Sequence, residues 1–419
     1  MFDADHVRVR RIADKLVAVR SMPAASKAFG AEAHRFKLEP PLPEAMVAEF
    51  EERHEVALPK EFRLFVIELG NGGAGPGYGL RRLTVSCCAH RRSGHLTRPS
   101  PYRPGPRYLD DWEQRYESPP GPDRIFLPGT VEIAGHGCSL VTHLVVTGPA
   151  RGRLINLDCE GPIGPYVLED ADFLAWYERW LDEAMAGYDI GWFGERLPLG
   201  EPALLTVLTD DGSPTRRVRA GESLLRLPAI SDRAWAALAA AMSTDVDASV
   251  RAELWDLLRW QRHKHQRHLN NAEAIADDIA LYARSCTPPD LKALDILCRL
   301  TLTDVLPELA CQDSQRRRRA AYHFAQPWPG ERDGSRSGLL DDAVTELLID
   351  ADALLRSHGV AAVRLLGLTH LHPRLREIQR TETDPWVRHH LDQILGEDPP
   401  QTWADLASAP PEMTEYPPF

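Results

Sequence analysis

Four zinc-ligand side chains fall within nine residues in Cys87-Cys88-Ala-His90-Arg-Arg-Ser-Gly-His95. Structural zinc sites usually join two such knuckles from distant parts of a chain. His136, Cys138 and His143 could in principle supply the second half. A strand-to-loop segment accounts better for Cys87, Cys88, His90 and His95, so no metal is expected. In Arg262-His-Lys-His-Gln-Arg-His268, a turn of about 100° per residue puts His265 and His268 on one helix face and His263 away from them. That is poor ligand geometry and reads as a solvated basic helix end. Arg316-Arg-Arg-Arg319 points in four directions around a helix, which favours bonds between neighbouring helices over a phosphate cradle. The adjacent pairs Asp110-Asp111 and Asp341-Asp342 suit caps or solvated faces better than an acid/base dyad. With no nucleophile elbow, kinase set or His-Glu-x-x-His, the chain is read as a non-enzyme without cofactor or small-molecule substrate.

The other conspicuous stretch is Gly70-Asn-Gly-Gly-Ala-Gly-Pro-Gly-Tyr-Gly79, six glycines in ten residues. Gly70, Gly72 and Gly75 match the dinucleotide string G-x-G-x-x-G. That fingerprint needs a strand before it and a helix N-terminus after it, so that amides and dipole meet the pyrophosphate. Here a helix precedes the glycines and a strand-like Arg81-Arg-Leu-Thr-Val follows. A tight, backbone-exposed turn is expected instead.

The elements around this turn follow from periodicity. An amphipathic helix is expected near Asp3–Val19, with Val9, Ile12, Leu16 and Val17 inward. A second starts at Pro43, with Met46, Val47 and Phe50 on one face. A third follows Leu58-Pro59, with Phe62, Phe65, Val66 and Leu69 recurring at helical spacing, and Gly70 placed as a left-handed cap. Eight of the 34 prolines lie from Pro99 to Pro128 and mark an irregular insertion containing Trp112. Residues 129–138, 140–146 and 153–158 read as strands, with 147–152 as a hairpin connection. Asp170 or Asp172 then caps a helix whose Phe173, Trp176, Tyr177, Trp180, Leu181, Ala184 and Met185 form one core stripe. Helices, hairpin-joined strands, then a helix spell an α+β domain with a mainly antiparallel sheet.

The stretch Phe29-Gly-Ala-Glu-Ala-His34, Pro41-Leu, Phe50-Glu, Leu58-Pro, Phe62-Arg, Phe65 and Gly70-Asn-Gly-Gly-Ala-Gly-Pro resembles the SUKH (Smi/Knr) superfamily. Gly135-His-Gly-Cys, Leu144-Val-Val-Thr-Gly, Gly152 and Phe173-Leu-Ala-Trp-Tyr-Glu-Arg-Trp-Leu-Asp continue the match in order, over roughly residues 29–184. The resemblance implies an α+β binding domain without catalysis. Bacterial members look like immunity proteins that bind and neutralise polymorphic toxins.

From about Pro198 the chain reads all-helical. An acidic residue followed by an arginine inside an apolar helix recurs in Asp211…Arg217, Asp245…Arg251, Asp313…Arg316 and Asp384…Arg388, at multiples of about 35 residues. This resembles HEAT repeats stacked into a solenoid, with the acid capping a helix and the arginine bonding neighbouring repeats. The expected organisation is 1–187 SUKH-like, with the insertion at 99–128; 188–198 linker; 199–398 HEAT-like; and 399–419 a proline-rich tail.

Of the 419 residues, 43% are hydrophobic and 26% charged, ordinary for a globular protein. The net charge is −12, divided as −5 up to Glu195 and −7 after it, so neither half is a basic nucleic-acid module. Seven scattered cysteines, no signal-like start and no long apolar run point to a cytoplasmic protein with reduced thiols. The expected activity is binding of a protein partner, a toxin in particular, away from membranes. The competing reading is a HEAT-type scaffold or nucleic-acid binder with a regulatory first domain. The expected contact surface gathers Asn71, Gly72, Gly73, Tyr78, Trp112 and His136, with Trp112 and Tyr78 as aromatic anchors. An acidic protein also suits the basic clefts of nucleic-acid-directed toxins.

Overall fold

The computed structural model describes residues 4–84, 94–104, 128–137, 140–158, 166–191, 193–194, 196–260, 272–325 and 337–396. They form a mixed structure of many helices and one small antiparallel sheet, in two compact units that divide between Ala241 and Met242.

In the first unit α1 (Ala4–Val19) buries Val9, Ile12, Leu16 and Val19. Val17, expected inward, is 68% exposed. It lies about 100° round from Leu16, whereas Val19 continues the three-four-three stripe. Two short helices follow, α2 (Pro23–Ser26) and α3 (Ala31–His34). In α4 (Glu44–His54) Pro43 is the cap rather than the first turn; Val47 and Phe50 are buried and Met46 is exposed. Helix α5 (Lys60–Glu68) buries Phe62, Phe65 and Val66 and ends at Leu69 with φ −107°, so Gly70 is not the left-handed cap expected of it. Glycine is needed at position 70 for another reason: a Cβ there would lie 2.4 Å from the Glu39 carbonyl oxygen and 2.7 Å from Leu38 Cβ.

Strands β1 (Thr130–Gly137), β2 (Leu140–Val145), β3 (Leu154–Asp158) and β4 (Tyr166–Val167) pair antiparallel in that order. Beyond β1 single bridges extend the sheet, Leu80 with Ala134, Gly73 with Leu80, and Leu38 with Gly73. Leu144 and Leu154 enter the main core, while Val141, Val145, Ile155, Leu157 and Val167 form a smaller one with Tyr102 and Ala150. Helix α6 (Phe173–Ala186) starts where Asp172 accepts from the Ala175 amide at 2.8 Å. Its expected stripe is the centre of the main core: Phe173 meets Phe62 and Phe65 edge-on at 4.9 and 5.0 Å between centroids. Tyr177 donates its hydroxyl to the Ala74 carbonyl at 2.8 Å, fastening the glycine turn to α6.

The segment expected as a linker, 188–198, is built into this unit. Ile190, Phe193, Arg196 and Leu197 are buried. Arg196 pairs with Glu183, and Arg179 joins Asp170 at 2.7 Å and Glu183 at 3.0 Å in the same buried group. Leu197 N–H donates to Ser223 Oγ at 2.9 Å on α8 (Pro214–Leu225), which packs with α7 (Glu201–Asp210). The linker expectation rests on the change from mixed to all-helical pattern there; the buried Phe193 and Arg196 tie the segment into this unit instead.

Helix α9 (Asp232–Thr244) spans the division. The second unit contains α10 (Ala248–Trp260), α11 (Ala272–Ser285), α12 (Leu291–Ile296), α13 (Leu302–Leu309), α14 (Ser314–Phe324), α15 (Ser337–Leu348), α16 (Ala353–Leu365), α17 (His372–Gln379) and α18 (Pro385–Leu395). Helices α11 and α12, α13 and α14, α15 and α16, and α17 and α18 pack as pairs. The even-numbered helices also pack in series from α10 to α18.

A shared turn chemistry precedes several of these helices. An acid at position n accepts from the amide at n+2, as Asp211 from Ser213, Asp245 from Asp247, Asp350 from Asp352 and Glu382 from Asp384, at 2.8–2.9 Å. The arginine at n+6 donates to the carbonyl of n, as Arg217, Arg251, Arg356 and Arg388 do. Arginines also bridge onward: Arg356 grips the Glu382 carboxylate with Nε and Nη2 at 2.8 and 2.9 Å, and Arg317 pairs with Asp350 at 3.1 Å. At Asp313 and Asp384 the acid caps the helix, as expected. At Asp211 and Asp245 it stands two residues before the cap position, sealing the turn. The tail from 399 lies outside the described residues.

Candidate partner-binding site

Two backbones cross where Phe29-Gly30 meets Gly77-Tyr78. A Cβ on Gly30 would sit 1.8 Å from the Gly77 carbonyl oxygen, and one on Gly77 would sit 2.6 Å from His136 Cα. Both glycines have positive φ, +77° and +61°, so they satisfy the turn geometry and the close approach together. The crossing leaves the flanking aromatics side by side at the surface. Phe29 and Tyr78 are 42% and 57% exposed, with ring centroids 5.6 Å apart. Tyr78 N–H donates to the Gly135 carbonyl at 2.9 Å, and its ring lies over Gly137, where a Cβ would meet Cε2 at 2.7 Å.

The other expected contact residues do different work. Asn71 is buried and uses its amide as a piece of backbone: Nδ2 donates to the Leu83 carbonyl at 3.0 Å, and Oδ1 accepts the Leu83 N–H at 2.7 Å. The turn's backbone is not open in the way expected. Gly73 N–H is bonded to Leu80 O at 3.1 Å, and Gly72 O accepts the Glu39 N–H at 3.0 Å. Gly72 and Gly73 are therefore required for fit, with φ +99° and +87°. His136 is 2% exposed and lies beneath the turn, its Nε2 2.6 Å from Thr142 Oγ1. Burial pushes its imidazole down from the ordinary 6.5 to about 4. Trp112 lies outside the described residues. The structure thus places Tyr78 at the surface, His136 and Asn71 under it, and adds Phe29. The one sequence signal for Phe29 is the mirrored order Phe-Gly and Gly-Tyr, whose meaning appears only when the two segments cross.

His34 supports the crossing from within. Its Nδ1 accepts the Phe36 N–H at 3.0 Å, its ring packs edge-on against Phe36 and Trp180, and burial lowers it to about 4.

Cys87, Cys88, His90, Cys138 and the histidines of 262–268 lie outside the described residues, whereas His95 is described and buried. Among the described residues no group of three or more His, Cys, Asp and Glu could hold a metal ion. An open groove of about 290 Å³ runs between Val56, Thr97, Thr147, Gly148 and Arg151. Arg151 donates there to the carbonyls of Ala57 and Leu58. In the arginine run, Arg316 grips Glu308 through Nε and Nη2 at 2.8 and 2.7 Å, Arg317 pairs with Asp350 and Arg318 with Asp352. Among the described residues, no helix is long and apolar enough to cross a membrane. No protein-family model, curated protein or solved structure matches this chain.

Proposed function

We propose that this is a non-catalytic, cytoplasmic protein-binding protein of immunity type, a SUKH-like unit followed by HEAT-like repeats, which neutralises a toxin by covering it. The observation that carries the reading is the Phe29–Tyr78 pair. Two half-exposed rings stand on a tight backbone crossing, so little backbone ordering entropy is lost when a partner covers them. The order of helices, glycine turn, antiparallel sheet and aromatic helix supports the SUKH-like reading, and the recurring acid–arginine turn supports the HEAT-like one. The carboxylate partners of Arg316, Arg317 and Arg318 favour protein binding over nucleic-acid binding, since a phosphate would have to displace them. Inhibition by occlusion needs only slow release.

The test is a pull-down from the native organism, in which the captured partner should be a toxin, followed by Phe29→Ala and Tyr78→Glu in the captured pair. Each should weaken binding at least about ten-fold, near 1.4 kcal/mol. Unchanged affinity in both folded variants would move the contact surface elsewhere.

A further inference from the structure

Beneath the aromatic pair a row of polar side chains crosses all four strands on the helix-covered face. His136 on β1 meets Thr142 on β2 at 2.6 Å, Thr142 meets Asn156 on β3 at 2.7 Å, and Asn156 meets the Tyr166 hydroxyl on β4 at 3.3 Å. All four residues are buried, at 6% exposure or less. At the far end the Arg219 guanidinium of α8 lies 3.7 Å over the Tyr166 ring.

The direction of every bond in the row is fixed by one backbone group. The Phe193 carbonyl lies 3.1 Å from the Asn156 amide and can only accept, so the atom facing it is Nδ2. Nδ2 has a second hydrogen for the Tyr166 oxygen, and Oδ1 is left to face Thr142. The Thr142 hydroxyl must then donate to Oδ1, which leaves its oxygen only as an acceptor toward His136. His136 is therefore protonated on Nε2 and bare on Nδ1. The bare nitrogen is buried without a hydrogen-bond partner among the described residues, on the side of Gly77, where a Cβ would approach it to 3.2 Å.

We infer that this row is a conformational lock on the Gly77-Tyr78 turn, with Thr142 and Asn156 as positioning residues that hold His136 in its neutral Nε2–H tautomer. The other tautomer would place an N–H against the Gly77 backbone, where the packed form has only a lone pair, and a ring turned over would lose the Nε2 bond to Thr142. The lock passes from the Phe193 carbonyl, through β3 and β2, to the turn that carries Tyr78. Its bearing on partner recognition rests on the function proposed above; the lock itself is tested without a partner.

The experiment uses the full chain labelled with ¹⁵N-histidine, with the His136 resonances assigned by their loss in His136→Gln. Wild type should show His136 as the Nε2–H tautomer alone. Thr142→Val removes the acceptor and should give a mixture of tautomers. It should also speed hydrogen exchange of the Tyr78 and Leu80 amides about ten-fold while the α6 amides keep their protection. Thr142→Ser should restore both properties. An Nδ1–H tautomer in wild type, or Tyr78 and Leu80 exchange in Thr142→Val within about two-fold of wild type, would overturn the lock. Should Thr142→Val fail to fold, the tautomers of wild type and Thr142→Ser still decide. If the lock holds and no toxin is captured, the proposed function fails and the lock stands; if both Phe29→Ala and Tyr78→Glu leave toxin binding intact, the contact surface lies elsewhere and the lock still stands.

Discussion

Acid should destabilise the first unit through His136 in a window fixed by its burial. The imidazole titrates near 6.5 when unfolded and at about 4 when folded, because burial takes it out of water. A histidine depressed in this way contributes its full stability above pH 6.5. It loses that contribution as pH falls toward 4 and has no more to lose below it. Linkage gives about 2 kcal/mol lost between pH 7.5 and pH 5, and about 3 kcal/mol in all. Urea unfolding followed by tryptophan fluorescence, with Trp176 and Trp180 buried in the same core, measures this at several pH values. His136→Gln is the matched control: its amide can donate to Thr142 and does not titrate. Wild type and variant should diverge between pH 7.5 and pH 5 by about 2 kcal/mol, the variant being the less acid-sensitive. Parallel pH profiles would refute the assignment of a neutral, desolvated His136. His34, also lowered to about 4, is present in both proteins and cancels from the difference.

Gly30→Ala should cost about 3–5 kcal/mol, because a methyl group would overlap the Gly77 carbonyl at a left-handed backbone position. Calorimetry reads it, and a melting temperature lowered by less than about 2 °C would mean the crossing is loose. Glu382→Gln should weaken the second unit by about 1–3 kcal/mol by removing the charge that Arg356 grips through two bonds. Faster exchange of the α18 amides is the expected sign, and exchange equal to wild type would make that bridge incidental.

The parts of this fold that were legible in the sequence depend on local periodicity. The stripe Phe173, Trp176, Tyr177, Trp180 marks α6 and its core face at once, and hairpin chemistry at 147–152 places β2 and β3. The acid–arginine phrase was visible too, although its geometry was not, since n+2 and n+6 bonding emerges only when the turn is closed. The candidate site was half legible. Composition located the glycine turn and Tyr78, but the glycines' purpose is close backbone approach to residues 30, 38–39 and 136, which no local pattern records. Asn71 was misread for the same reason: its amide substitutes for a missing strand partner at Leu83, twelve residues on. The change of pattern at 188–198 reads as a linker, but the buried Arg196–Glu183 pair ties that segment into the first unit.

The recurring turn makes its helix pairs interchangeable at their ends. Asp350 seals its own turn and also receives Arg317 from the preceding pair, and Glu382 does the same for Arg356. Removal of one whole period, residues 350–381, would present Arg317 with Glu382 in place of Asp350, one carboxylate exchanged for another. A chain shortened in this way keeps an arginine–carboxylate bridge across the new joint, so at these two turns the seam does not depend on how many helices lie between them.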